Sequence, residues 1–171
     1  MIHSTIGLVH TIFACISLLT GTYILITIKG TRLHVKIGYV YVFAMLAMNL
    51  TGFGIYHLFD GFGIFHVMIF VSLWALLGGM YPVLFRSRVK NWYLQHIDLM
   101  SWSIVGLYAA FVAEIVTRLL PLRYFPWVVG IGTFVVTMTG WRFIKSKRKN
   151  KIAKGRTNHL TNNDASTYYR R

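Results

Sequence analysis

Long apolar runs broken by short polar clusters set the rhythm of this chain, and the length of the runs decides the type of element. Crossing the hydrocarbon of a bilayer in helix takes about 20 largely apolar residues, because every backbone N–H and C=O must find its partner inside the segment. Five stretches meet that condition, running approximately from Ile6 to Ile28, Ile37 to Leu58, Ile64 to Phe85, Ile97 to Leu119 and Tyr124 to Ile144. The pattern predicts an all-α integral membrane protein of about five transmembrane helices, with 1–144 as the bundle and 145–171 as a basic tail. The first run is expected to remain as a span. Met1 to Thr5 carries no basic residue, and the run is longer than the apolar centre of a cleaved signal peptide.

Composition points the same way. Of 171 residues, 56% are hydrophobic and 13% charged, too little polar surface to cover a soluble globule. Eighteen Lys and Arg stand against four Asp and Glu, and half of these cations lie at or beyond Lys145. The others stand singly or in threes between apolar runs, as membrane anchors do, which argues against nucleic acid as a partner. The first loop holds Lys29, Arg32 and Lys36 and the third holds Arg86, Arg88 and Lys90, while the amino terminus and the second loop, His57 to Gly63, hold none. Short basic loops stay in the cytoplasm, so the amino terminus is expected outside and the tail inside. Arg118 and Arg123 on the fourth loop run against that trend. The tail itself, too polar to bury a core, is expected to be disordered and to contact anionic lipid. Cys15 is the single cysteine, so no intramolecular disulfide can form.

Candidate chemistry comes from an internal repeat. Gly7-Leu-Val-His10 opens the first helix and Gly63-Ile-Phe-His66 the third. Ser17, Leu18, Gly21 and Tyr23 follow in one, and Ser72, Leu73, Gly79 and Tyr81 in the other. Leu33-His34-Val35 and Gln95-His96-Ile97 open the second and fourth. Two halves of the same topology are related by a pseudo-twofold axis along the membrane normal. That axis makes His10 and His66 a candidate outer pair and His34 and His96 a candidate inner pair, about 25 Å apart in depth at helical rise. Two imidazoles facing across an axis can ligate a haem iron from both sides, and haems at these two depths would leave a gap short enough for electron tunnelling.

Other readings compete. A histidine at a helix end is commonly an interfacial residue with one wet face. A zinc or copper site on the outer side could use His10, His66 and Glu114, with His3, His57 and Asp60 near the same boundary. Glu114 lies in the outer third of the fourth helix, where a carboxylate is costly unless it turns toward the bundle or pairs with Arg118 one turn on. Asp98 fits a helix cap. The five tryptophans fit interfacial belts, and Arg32, Arg86 and Arg88 could hold haem propionates as well as set topology.

The run His96-Ile-Asp-Leu-Met-Ser-Trp-Ser103, continuing to Arg118 and Pro121, resembles the His-Arg-x-Trp-Met-x-Arg-Ser signature of a family of predicted bacterial membrane proteins, domain of unknown function 2306. The first half adds His10 and the spacing His34-x-x-x-Gly38-x-x-Tyr41, so the resemblance spans roughly Gly7 to Pro121. Ile97, Asp98 and Trp102 replace basic or aromatic residues of that family. The resemblance implies a helical domain of a bacterial inner membrane with recurring histidines. Arrangement alone is similar to the di-haem b-type membrane cytochromes.

Taken together, these features lead to the expectation of a membrane protein that binds haem b through His10 with His66 and His34 with His96 and passes electrons across the bilayer, possible membrane oxidoreductase chemistry with a quinol or another redox partner. The alternatives are a zinc- or copper-binding protein or small transporter using the outer site, and a non-catalytic assembly subunit.

Overall fold

A computed structural model describes residues 5–55, 64–119, 127, 130–142 and 145. Its helices are α1 Thr5–Ile26, α2 Arg32–Gly52, α3 Ile64–Leu84 and α4 Trp92–Leu119, and residues 130–142 form a further helical segment, α5. Helices α1 to α4 each contain a stretch long and apolar enough to cross a membrane. The chain is an all-α membrane protein, and the described residues contain no strand. The fifth expected span is described only in part, and the second loop, the fourth loop and the tail beyond Lys145 lie outside the described residues.

Two boundaries differ from the hydropathy reading for a local reason. Helix α2 starts at Arg32, ahead of its apolar run, because the Thr31 hydroxyl accepts the His34 N–H at 3.1 Å and caps a polar first turn. Helix α4 starts at Trp92, so Asp98 sits in its second turn and does not cap it. Gly30, at φ +84°, makes the reversal between α1 and α2 that a side chain would resist, and the Lys29 ammonium closes α1 on the carbonyls of Ile24 and Leu25.

Helices α1 and α2 pack as one hairpin and α3 and α4 as another, while α2 against α3 and α1 against α4 close the ring. Helix α1 therefore stands diagonal to α3, and α2 diagonal to α4, as the repeat requires. The bundle axis is filled by Tyr41, Met45, Leu76, Met100, Ile104 and Leu107. Large apolar side chains also point outward, with Leu19 73% and Trp74 69% exposed, a surface that lipid covers. Helix α5 lies against the outside of α4: a Cβ at Gly132 would meet Val112 at 3.1 Å, and one at Gly140 would overlap Val105. Small residues let the two backbones approach.

At the centre, the Tyr41 hydroxyl on α2 and the Ser103 hydroxyl on α4 hydrogen-bond at 2.8 Å, both buried, with exposures of 0% and 2%. Gly21 on α1 seats the Tyr41 ring, since a Cβ there would stand 3.0 Å from Cε2. Ser17, one turn away, behaves differently from the helical threonines. Thr11, Thr20, Thr22, Thr27 and Thr51 each donate to the carbonyl one turn back, whereas the buried Ser17 hydroxyl has no partner among the described residues.

Removing one hydroxyl of the central pair strands the other, a loss of about 1–3 kcal/mol. Tyr41→Phe and Ser103→Ala should each lower the melting temperature in detergent, and the double variant should lose less than the sum. Ser17→Ala, which removes an unpaired group, should not lower it. Additive losses at Tyr41 and Ser103 would show that the pair is not coupled.

Candidate functional site

The central pair gives the register for the histidines. Tyr41 and Ser103 are 62 residues apart in sequence, and the same separation relates His34 to His96 and Gly38 to Met100. Each histidine stands two helical turns before its member of the pair, on the same face and about 10 Å nearer the helix start. Diagonal helices that touch at Tyr41 and Ser103 thus direct His34 and His96 toward a shared level, and the two imidazoles lie within electrostatic reach of one another.

The two rings are held differently. His96 Nδ1 lies 2.8 Å from the Gly79 carbonyl on α3. A carbonyl only accepts, so this nitrogen carries the proton and the lone pair sits on Nε2. The acceptor is made accessible by Gly79 itself, against which Met100 packs so closely that a Cβ would lie 2.8 Å from its sulfur and 3.1 Å from its backbone nitrogen. Pro82, in the same stretch of α3, has no N–H for the turn before it. His34 has its backbone N–H on Thr31, but its buried Nδ1 has no partner among the described residues, and Gly38, one turn on, has open space around it.

At the other end, His10 Nδ1 donates to the Met48 carbonyl on α2 at 2.9 Å, with the Thr51 hydroxyl 3.3 Å from the same nitrogen. Here too the lone pair falls on Nε2. Gly52 lies where α1 and α3 converge, a Cβ there falling 3.5 Å from the His10 ring and 3.0 Å from Ile69. His66, one turn before Ile69, is buried at 3% exposure. Glu114 lies within electrostatic reach of His10. It does not turn into the bundle as its charge suggested: Ala113 takes the buried position and Glu114 is exposed. No group of three His, Cys, Asp or Glu side chains that could hold a metal ion is found among the described residues. His3, His57, Asp60 and the Arg118 side chain lie outside them.

The model of a family of predicted membrane proteins, DUF2306, matches residues 7–145. The chain belongs to this family. No curated protein and no solved structure matches it. The membership extends the sequence resemblance, which ended near Pro121, through α5. The signature residues His96, Met100 and Ser103 match His34, Gly38 and Tyr41 in the first half position by position, and the two sets touch at Tyr41 and Ser103. The sequence reading named Gly38 and Tyr41 in the family spacing, Ser103 in the signature and Gly79 in the repeat, but assigned none of them a contact. The shared spacing of i, i+4 and i+7 after each inner histidine marks Gly38 with Tyr41 and Met100 with Ser103, whereas Gly79 lies outside that spacing.

The two glycines give a contrast that can be measured. Gly79→Ala pushes on Met100 and on the carbonyl that holds His96, an overpacking cost of about 1–3 kcal/mol. Gly38→Ala enters open space and should leave the melting temperature nearly unchanged. Equal losses would mean that the two halves are packed alike.

Proposed function

We propose that this protein is a membrane haem-binding protein that transfers electrons across the bilayer, with His34 and His96 as the inner ligand pair and His10 and His66 as the outer pair. The observation that carries this reading is the central Tyr41 to Ser103 contact, which sets diagonal helices in register two turns from His34 and His96. The residues at that end fit the group: the lone pair of His96 lies on Nε2, His34 has a buried unpaired nitrogen, and the space beside Gly38 is open. A haem b held there would supply one-electron chemistry at its iron. The chain's own part is to orient the imidazoles through Gly79 and Met48 and to keep the axis between the two ends filled with packed side chains. Arg32, Arg86 and Arg88 stand near the inner end, where propionates need cations. A quinol or a cytoplasmic reductant is a suitable donor.

The basic loops at the His34 and His96 end support a cytoplasmic side there, with the amino terminus outside a bacterial inner membrane. Reporter fusions after residue 145 should be active only on the cytoplasmic side. An external tail would reverse the direction assigned to the two sites.

A second reading has one observation in its favour. Glu114 lies within electrostatic reach of His10, which favours an outer zinc or copper site built on His10, His66 and Glu114, although these three do not form a cluster in the arrangement described.

Purified protein should show a Soret band and about two haems per chain. The double variant His34→Ala/His96→Ala should lose one half and His10→Ala/His66→Ala the other, since ligand sets this far apart act independently. A colourless preparation that holds zinc or copper favours the second reading, and one that holds neither leaves assembly of partner subunits as the function.

A further inference from the structure

The repeat that builds the inner pair is broken at three points that leave the side of His34 more open than that of His96. His96 has its Nδ1 proton held by the Gly79 carbonyl at 2.8 Å, while neither ring nitrogen of His34 makes a hydrogen bond among the described residues and its Nδ1 is buried. Met100, one turn after His96, closes onto Gly79, while its counterpart Gly38, one turn after His34, has no atom within 4 Å of where a Cβ would stand. His34 also lies in the first turn of α2, next to the capped loop end, whereas His96 lies a full turn inside α4. A ligand imidazole whose second nitrogen is anchored keeps its orientation and gains basicity, and loss of that anchor typically costs about 10–100-fold in metal affinity.

From this asymmetry, which rests on the haem reading, we infer that the inner site has one fixed and one exchangeable ligand: His96 holds the cofactor, and His34 gives up its position to a small neutral ligand that enters beside Gly38. With a haem bound, the nitrogen lone pair that His34 withdraws would be replaced by the lone pair of the incoming ligand, so no electron would be gained or lost in the exchange. The imidazole keeps its proton and moves into the space that Met100 fills in the other half. The site would then serve as a sensor or reaction site for a diatomic ligand as well as a relay of electrons.

The probe is carbon monoxide, added to dithionite-reduced, haem-loaded full-length protein, with haem per chain measured in parallel as the pyridine complex. Wild type should bind carbon monoxide at no more than half of its haem. His34→Ala should keep most of the inner haem and bind carbon monoxide at least tenfold more tightly, while His96→Ala should lose that haem. Gly38→Met, which copies the residue of the other half, should weaken carbon monoxide binding at least tenfold. Gly38→Ala should weaken it less, and serves as the probe if the larger side chain prevents folding. The inference is overturned if His34→Ala and His96→Ala lose haem alike, or if neither Gly38 variant alters carbon monoxide binding. A wild type that carries normal haem but binds no carbon monoxide overturns this inference alone. A wild type without any haem overturns the reading beneath it.

Discussion

One hydrogen bond between two hydroxyls organises this bundle. In lipid, a buried hydroxyl has no water to fall back on, so Tyr41 and Ser103 must find each other or remain stranded. They sit on diagonal helices, and the bond can form only if α2 and α4 face one another across the axis at one depth. Apolar packing alone would not set that depth, because Leu and Met side chains slide past one another at little cost and lipid solvates them equally well. The polar pair supplies the register that the hydrophobic core lacks.

Everything proposed for the histidines follows from that register. Positions two turns from the pair return to the same face of their helices, which is why His34 and His96 are directed toward one level. The tethers are a separate layer of construction. His10 and His96 each hand their Nδ1 proton to a carbonyl on the neighbouring helix of their own hairpin, one near the start of α1 and one near the start of α4. Backbone carbonyls inside a transmembrane helix are normally occupied. A carbonyl has two lone pairs, so Met48 and Gly79 can each accept a histidine N–H in addition to a helical donor, and Met48 accepts the Thr51 hydroxyl as well.

Glycine contributes through closeness more than through flexibility. Gly21 admits the Tyr41 ring, Gly79 admits Met100 and with it the backbone of α4, and Gly132 and Gly140 admit the valines of α4 to α5. At Gly38 the space left by the missing side chain is unfilled. Because Gly38 and Met100 occupy matched positions in the two halves, the difference between them gives the inner end a more closed side and a more open side.

The sequence by itself determined what the bilayer dictates. A bilayer demands long apolar segments with internally satisfied backbones, so the helices, their number and their membrane character could be read from run lengths, and the repeat and the matched histidines could be read from spacing. Where an end is set by a capping side chain, hydropathy fell short: the Thr31 cap draws α2 back to Arg32, and the polar turns around Trp92 lengthen α4. The tertiary structure alone decided which matched positions touch. Whether Glu114 or Ala113 enters the bundle is a rotation of a single residue about α4, and whether His34 or His96 finds a carbonyl depends on how closely α3 approaches α4 at Gly79. A composition or a period cannot encode these, because they are distances between helices, set by the packing of all four at once.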